Sequence, residues 1–435
     1  MNILIFNTNN PLKVSGIVAF DLFNHLKSRG HQVKLLVNCF NSDYPEGIIS
    51  LESSFSVRWK TIKAKFIWRL SKLKKILKFK EELQRDSDYC FFQLDERKLI
   101  YKTRRLLKIS EIKPDVIIVL YAKKFINVKN VYQLYKRTHA KIFWLMYDMA
   151  PFTGGCHYAW ECKGYQNNCG NCPGLFSSDP FDISYRNLLY KKIYIDNTNI
   201  QIIAGSERQY RQAKASSLFL NKPIHKIYTS IDLNVFKPCN RQELRSRMGI
   251  PINKKAIFFG SIELKERRKG MTYLVESLII LKDKIKNTNL ENEIILLIAG
   301  SKIKEITKYL PFDYHFFGML DNNTGIASAY QAADIFVCPS IEDSGPTMIN
   351  QSLMCGTPVV CFEMGVGIDF VINGETGFCV KLKDSIALAQ AMYDILIMGD
   401  SDYLRIKENC RNLALRLFQP DVTISNWIKV LSENN

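Results

Sequence analysis

The sequence predicts an α/β protein with two doubly wound parallel sheets. Short, almost continuously apolar runs alternate with helical stretches, which is typical of parallel strands covered by helices on both faces. The pattern begins again at Ala256, after a linker that includes Ile231–Asn240. The chain length of 435 residues is also the length expected for two domains. The runs are ILIF at 3–6, VIIVLY at 116–121, KIFWLMY at 141–147, QIIAG at 201–205, AIFFG at 256–260, IILLIAG at 294–300 and DIFVCPS at 334–340.

The expected domains follow from where this pattern restarts. We expect a first domain over residues 1–230, a second over 231–412, and a terminal helix over 413–435 that packs back on the first domain. The first 38 residues are typical of a strand, a polar loop with a glycine, a helix and a second strand. Sheets of this kind bind ligands beyond the carboxyl ends of their strands, so we expect the functional residues there.

Composition and charge narrow the class of protein. Lys and Arg number 60 against 42 Asp and Glu, and the net charge of +18 predicts an anionic partner. No apolar run reaches the roughly 18 residues of a membrane-spanning helix, and the start lacks the basic region of a signal peptide. We therefore expect a cytoplasmic protein whose 12 Cys are thiols or metal ligands rather than disulfides.

One segment, residues 53–80, has ten Lys or Arg and no acidic residue. Its apolar residues recur at helical spacing, and two Trp lie among them, which is the composition of a helix on an anionic membrane surface. The alternative is that the apolar stripe packs on the domain and the lysines are only solvated. No nucleic-acid-binding motif accompanies the charge, so we expect no nucleic-acid partner. The residues are Ile62, Phe66, Leu70, Leu73 and Leu77, with Trp59 and Trp68.

Two loops after predicted strands are suited to binding anions. Arg268 and Lys269 follow the strand AIFFG and precede a helix, where cationic side chains and the helix dipole hold phosphates. The turn from Ser344 to Met348 follows the strand DIFVCPS and opens another helix, whose free N–H groups suit a diphosphate. Two acids precede that turn, and Gln351 lies about two helical turns beyond it.

Four segments, in this order, resemble motifs of the family 4 (group 1) retaining glycosyltransferases of bacterial surface-polysaccharide assembly. They are SGIVAFDLFNHLKSRGHQV, SIDLNVFKP, RRKG and YQAADIFVCPSIEDSGPTMINQSLMCGTPVV. The resemblance covers most of the chain and implies the GT-B fold, in which two Rossmann-like domains face each other across a cleft.

The resemblance also implies roles for individual residues. Arg268 and Lys269 would neutralise the donor diphosphate without a metal, the turn residues Ser344 and Gly345 and the amides of Thr347 and Met348 would assist, and Gly16 would let the first domain's loop approach the phosphate. Of the family's two glutamates, spaced eight apart, the first lies near the sugar and the second binds the donor ribose. In this sequence those positions are Asp343 and Gln351, or Glu342 and Asn350 in the other register.

Three departures from the family pattern bear on donor binding. In either register the second acid is an amide, which accepts a weaker hydrogen bond than a carboxylate. Ser261 stands where many members have an Arg, and the family's His-Asp pair is Tyr147-Asp148. Asp148, after the strand KIFWLMY, is a candidate catalytic residue, with capping of the next turn as the alternative.

A Cys-rich loop follows that strand. Cys156, Cys162, Cys169 and Cys172 have short spacings that can close a tetrahedral structural zinc site; reduced thiols, an iron–sulfur cluster or disulfides are the alternatives. The resemblance extends to this loop and implies that it lies near the acceptor. His157 is a further ligand, a catalytic acceptor-site group or a buried hydrogen-bonding residue.

These features predict a retaining hexosyltransferase on the cytoplasmic face of the plasma membrane. It would move a sugar from a nucleotide-diphosphate-sugar to a lipid-linked glycan of a capsule or O-antigen. Glu342 and Asp343 would lie near the sugar, while the basic loop and the helix N-terminus stabilise the leaving diphosphate. A non-catalytic glycan- or nucleotide-binding protein on the same scaffold, and a nucleic-acid binder, are the alternatives.

Overall fold

The computed structural model describes residues 1–52, 85–91, 96–301, 304–345 and 347–433. The basic segment predicted at 53–80 therefore lies outside the described residues. The chain divides into two compact units. The first comprises Met1–Ile203 and Gln212–His225, and the second Ala204–Arg211 and the chain from Lys226 onward.

The first unit contains a seven-stranded sheet in the order β3-β2-β1-β4-β5-β6-β7, and the pairs from β3 to β6 are parallel. The strand β1, which lies between β2 and β4, is apolar and buried from Ile3 to Phe6, as expected for a strand covered on both faces. The strands are β1 (Asn2–Asn7), β2 (Gln32–Val37), β3 (Ile48–Ser50), β4 (Val116–Val119), β5 (Lys141–Leu145), β6 (Ile200–Ala204) and β7 (Ile224–Lys226).

Helices connect these strands. Asn127 begins α3 with a capping box, and Asp182 begins α4 by accepting hydrogen bonds from two backbone amides. Between β5 and α4 the chain forms a long loop with three short 3-10 turns, which contains the Cys-rich segment. The helices are α1 (Ile17–Ser28), α2 (Thr103–Ser110), α3 (Val128–Thr138) and α4 (Ile183–Asp196).

The second unit contains a six-stranded, fully parallel sheet in the order β10-β9-β8-β11-β12-β13. The restart predicted at Ala256 is the strand β8, in the middle of this sheet. The strands are β8 (Lys255–Glu263), β9 (Ile294–Ser301), β10 (Tyr314–Gly318), β11 (Ile335–Cys338), β12 (Val359–Phe362) and β13 (Gly377–Val380). The predicted fold class, two Rossmann-like domains with doubly wound parallel sheets, is therefore confirmed.

The helices of the second unit surround a core in which Phe258, Tyr330 and Phe336 stack edge to face. Phe418, at the end of α13, packs against Phe370 of the same core. None of the described helices is long and apolar enough to cross a membrane. The helices are α5 (Glu207–Ala215), α6 (Arg241–Met248), α7 (Met271–Lys284), α8 (Lys304–Thr307), α9 (Asn323–Ala332), α10 (Thr347–Met354), α11 (Gly367–Phe370), α12 (Ser385–Leu396), α13 (Asp400–Phe418) and α14 (Pro420–Ser432). The residues of α5 up to Arg211 belong to the second unit, and those from Gln212 belong to the first.

Candidate functional site

The basic loop of the second unit lies at the carboxyl end of β8 and is fixed against the chain that follows β11. Gly270 ends the loop with a φ of +68°, and a Cβ there would lie 1.8 Å from the carbonyl oxygen of Pro339. The amide of Ile341 donates a 2.8 Å hydrogen bond to the carbonyl oxygen of Arg268. Only glycine permits this approach, which holds the cationic loop beside the second predicted anion-binding turn.

Asp343 orients two cations of the loop, Lys269 and Arg268. Its Oδ2 accepts hydrogen bonds from Lys269 Nζ at 2.6 Å and Arg268 Nη1 at 3.0 Å, and its Oδ1 accepts one from the amide of Gly345 at 3.3 Å. Burial alone would raise the pKa of Asp343, but Lys269 and Arg268 outweigh it and hold that pKa below its usual value. The acid is therefore charged at neutral pH.

Glu342 has a different partner, Arg208 near the start of α5. Nη2 of Arg208 lies 2.8 and 3.1 Å from the two oxygens of the buried Glu342 carboxylate. Sequence reasoning missed Arg208, because its partner lies 134 residues further along the chain. The available signal was its place directly after the strand QIIAG, at a carboxyl end.

The loop before α5 makes further contacts with the chain around the turn. Ser206 Oγ donates to the carbonyl oxygen of the buried Ser344 at 2.8 Å, and the amide of Glu207 donates to Asp369 Oδ2 at 2.8 Å. Burial raises the pKa of Asp369. The strand ends of this unit are thus joined by side-chain hydrogen bonds, which limits the movement of the anion-binding turn.

The helix α10 begins at Thr347, and its second residue, Met348, lines a cavity of about 340 Å³. The wall of this cavity also includes Lys269 and Ser261. Helix N-termini and cationic side chains at one cavity are the arrangement that binds phosphate. The cavity therefore brings the two predicted anion-binding loops together.

The amides at the position of the family's second acid are both buried in α10. Gln351 Oε1 accepts a 3.4 Å hydrogen bond from the hydroxyl of Tyr330. Asn350 Oδ1 is buried with no hydrogen-bond partner among the described residues. In one of the two registers left open by the sequence, the amide oxygen is thus hydrogen-bonded within the protein. In the other it is buried without a hydrogen-bond partner in the described part of the chain.

In the first unit, Asp148 and His157 form a buried pair. His157 Nδ1 lies 2.5 Å from Asp148 Oδ2, and Asp148 Oδ1 accepts a 2.8 Å hydrogen bond from the amide of Ala150. Both line a cavity of about 470 Å³, whose wall includes Tyr121 and Tyr147. The carboxylate fixes the orientation of the imidazole, as in other acid–histidine pairs. Asp148 thus both caps the next turn and holds His157.

Lys191 of α4 binds the loop that follows Asp148. Sequence reasoning missed this residue. Its buried Nζ donates to the carbonyl oxygens of Ala150 at 2.7 Å and Thr153 at 2.9 Å, and lies 3.9 Å from Glu96 Oε2. A lysine within a helix is normally solvated, so its type carried no signal. Its position at helical spacing from the apolar Leu188 and Ile195, both of which are buried, was the available sign.

Gly16 lies in the loop after β1. A Cβ there would lie 2.2 Å from the carbonyl oxygen of Asn10. The loop therefore folds closely on itself at Gly16, just before α1 begins. Glycine is required here by the packing of the loop, whatever the loop binds.

The four loop cysteines line one cavity of about 350 Å³ and are all free thiols. Left-handed backbone at Cys169, Gly170 and Asn171 makes a tight turn, and burial raises the pKa of the Cys169 thiol to about 12. Within the described part of the chain, no three His, Cys, Asp or Glu side chains are arranged so that they could hold a metal ion. The structural zinc at Cys156, Cys162, Cys169 and Cys172 stays a prediction.

Part of the second unit is similar to known proteins. Residues 253–397 match the model of the family described as "Glycosyl transferases group 1". The chain is 28% identical over 176 residues to a D-inositol 3-phosphate glycosyltransferase of Arthrobacter sp. (strain FB24), which is 38% of this chain and 40% of that protein. It is 26% identical over 153 residues to the putative teichuronic acid biosynthesis glycosyltransferase TuaC of Bacillus subtilis, 35% of this chain and 36% of that protein. The matches span less than half the length of these relatives.

Solved structures resemble the whole chain. Sucrose-phosphate synthase from Thermosynechococcus elongatus superposes with a TM-score of 0.66 at 16% identity, over 99% of this chain and 98% of that one. Anabaena HepE in complex with UDP and glucose superposes with a TM-score of 0.64 at 14% identity, over 99% of both chains. The chain therefore has the GT-B fold.

Proposed function

We propose that this protein is a retaining glycosyltransferase that moves a sugar from a nucleoside diphosphate sugar to a lipid-linked glycan in polysaccharide assembly. The observation that carries this proposal is the cavity at the carboxyl ends of β8 and β11. There Lys269 and the N-terminus of α10 converge on one space, and Gly270 fixes the cationic loop. A diphosphate is the ligand that such a cavity fits.

The donor class is supported by the structural relatives. HepE, whose fold this chain shares, was solved with UDP and with UDP-glucose. We infer a uridine or related nucleoside diphosphate in the second unit. Gln351 or Asn350 of α10, at the position of the family's second acid, would accept a hydrogen bond from the donor ribose.

The mechanism follows from where charge develops. As the bond between the anomeric carbon and the diphosphate breaks, negative charge grows on the leaving phosphate oxygens. Arg268, Lys269 and the amides at Thr347 and Met348 stabilise that charge, with no metal required. Asp343 holds the two cations in place through one carboxylate oxygen. The acceptor hydroxyl attacks from the same face and passes its proton to the departing phosphate oxygen.

The first unit would bind the acceptor. Its cavity has the aromatic side chains of Tyr121, Trp144 and Tyr147, which suit the apolar face of a sugar, and the polar pair Asp148–His157. We assign His157 to contact the acceptor or the sugar, and Asp148 to orient it. The chain would act at the cytoplasmic face of the plasma membrane, where lipid-linked glycans are extended.

A transfer assay tests this proposal. The intact protein is incubated with a panel of labelled nucleoside diphosphate sugars and a bacterial lipid-linked glycan extract, and label in the organic phase is counted. Transfer from one donor, lost in Lys269→Ala and kept in Lys265→Ala, would support it. Donor binding without transfer to any acceptor fraction would instead favour a non-catalytic nucleotide-binding protein.

A further inference from the structure

Three cysteines lie side by side on adjacent strands of the second unit's sheet. Cys338 of β11 is in register with Cys361 of β12, and Cys361 is in register with Cys379 of β13. All three side chains pack in the same hydrophobic core, so they lie on one face of the sheet. This face therefore has a row of three free thiols, which we name the thiol row.

Neighbouring members of the thiol row are close enough to be joined by a disulfide. Adjacent strands of a sheet lie about 4.8 Å apart, and a disulfide joins residues whose Cα atoms are roughly 4.4–6.8 Å apart. Residues in register on one face project in the same direction, so their sulfurs adjoin without a movement of the backbone. The thiol of Cys361 donates a hydrogen bond to the sulfur of Cys379.

The members of the thiol row differ in access and in acidity. Cys379 is half-buried on β13, at the edge of the described sheet, whereas Cys338 and Cys361 are only 6% and 1% exposed. The hydrogen bond from Cys361 lowers the pKa of Cys379, and the same bond raises the pKa of Cys361. Because the thiolate is the reactive form of cysteine, Cys379 is the member of the row that an oxidant attacks first.

The helix α11 covers the sulfur of Cys361. A Cβ at Gly367, the first residue of this helix, would lie 2.8 Å from Cys361 Sγ, so glycine leaves the room that the sulfur occupies. An oxidant therefore reaches Cys361 through its neighbour Cys379 rather than from the side of α11.

We propose that Cys379 and Cys361 are a site of reversible oxidation by hydrogen peroxide, which ends in a disulfide between β12 and β13. The Cys379 thiolate attacks one peroxide oxygen and the O–O bond breaks. The departing hydroxide takes up a proton to give water, and Cys379 becomes a sulfenic acid. The sulfur of Cys361 then attacks that of Cys379, the S–O bond breaks, and the oxygen leaves as a second water with the proton of the Cys361 thiol. Two thiols and one peroxide thus give one disulfide and two water molecules, and a dithiol reductant reverses the reaction.

Peptide mapping of the full chain after treatment with hydrogen peroxide tests this site. Cleavage after glutamate places Cys338, Cys361 and Cys379 on three different peptides. We expect a linked pair of peptides that joins Cys361 to Cys379, is absent from the untreated reduced protein and is released by dithiothreitol. Cys379→Ser should slow the loss of the free Cys361 thiol at least about tenfold, because the reactive thiolate is gone. The matched control, Cys239→Ser, removes a more exposed thiol of the second unit and should leave the linked pair unchanged.

Dimedone, which traps sulfenic acids, separates the two steps. Cys361→Ala lacks the second thiol, so its Cys379 should take up at least about ten times more dimedone than Cys379 of the unaltered protein. If Cys361→Ala does not fold, the linked pair in the unaltered protein decides. A disulfide from Cys361 to Cys338, oxidation of Cys239 ahead of Cys379, or folded protein without the linked pair would each overturn the proposal. The mapping uses no nucleotide, so a failure of the donor site leaves its result unchanged.

Discussion

The ammonium of Lys269 lies 2.6 Å from Oδ2 of the buried Asp343. The same oxygen accepts a hydrogen bond from Arg268, so one carboxylate fixes the two cations that would meet the donor phosphates. A buried ion pair of this kind contributes less to stability than to the geometry of the groups it holds. Asp343 would therefore position the two cations that bind the phosphates, in addition to any contact that it makes with the sugar.

Lys269→Ala should weaken the binding of nucleoside diphosphates by at least about tenfold, because a hydrogen bond to a charged group contributes roughly 1.5–3 kcal/mol. The measurement is titration calorimetry with UDP and other nucleoside diphosphates. Lys265→Ala, a charge removed from the same loop at an exposed position, is the control and should bind as the unaltered protein does. Equal affinities in the two variants would remove Lys269 from the donor site.

Gly270→Ala should unfold more easily than Gly249→Ala. The two glycines have the same left-handed backbone, with φ of +68° and +67°, so both substitutions incur a cost of about 1 kcal/mol. A Cβ at Gly270 would meet the carbonyl oxygen of Pro339, whereas nothing lies within 4 Å of one at Gly249. Chemical denaturation should show a loss at Gly270 at least about 1 kcal/mol larger. Equal losses would mean that the loop is not fixed against the chain after β11.

The lowered pKa of Asp343 predicts how the free energy of unfolding depends on pH. The pKa of Asp343 is lower in the folded protein than in the unfolded chain, whose pKa is near 3.8. The charged carboxylate therefore stabilises the fold fully at pH values above 3.8. This stabilisation is lost as the pH falls from 3.8 through the pKa of the folded state. The free energy of unfolding should therefore fall less steeply with pH below about 4 in Asp343→Asn than in the unaltered protein. Parallel curves would contradict the assigned ion pair.

Lys191→Met should destabilise the first unit by about 2–4 kcal/mol, because it leaves the carbonyl oxygens of Ala150 and Thr153 without their buried donor. Lys192→Met is the adjacent control. Lys192 is 46% exposed and pairs with Asp196 in the next turn, so its loss should stay within about 0.5 kcal/mol. Denaturant unfolding measures both. Two equal and small losses would show that Lys191 does not support the loop beside Asp148.

The spacing of Cys156, Cys162, Cys169 and Cys172 along the sequence predicts a structural zinc ion. Purified protein should contain one zinc ion per chain, and a chelator should lower the midpoint of thermal unfolding by at least about 4 °C. Cys169→Ser should lose the zinc, whereas Cys239→Ser, an exposed cysteine in the second unit, should keep it. Metal-free protein with four titratable loop thiols and an unchanged midpoint would refute the zinc site.

The order of elements was predictable because each strand's run of apolar residues is a local pattern. The strand–loop–helix order that predicts Lys269 as a phosphate ligand is a local pattern too. Residues whose role depends on distant partners were not predictable. Arg208 was missed since Glu342 lies 134 residues away. Lys191 was missed since a lysine within a helix is normally solvated, although Leu188 and Ile195 at helical spacing around it are apolar. Gly270 resembles any helix-capping glycine until the carbonyl oxygen of Pro339 is placed beside it.

The most direct test of the donor site is thermal unfolding of the full chain with a panel of nucleoside diphosphates and their sugar conjugates, at low and moderate salt. A ligand at about 100 times its dissociation constant adds roughly 2.7 kcal/mol, a clear shift of the midpoint. We predict that one nucleotide stabilises the protein, that the shift survives added salt, and that it disappears in Lys269→Ala. A folded protein that no nucleotide stabilises would contradict the glycosyltransferase account.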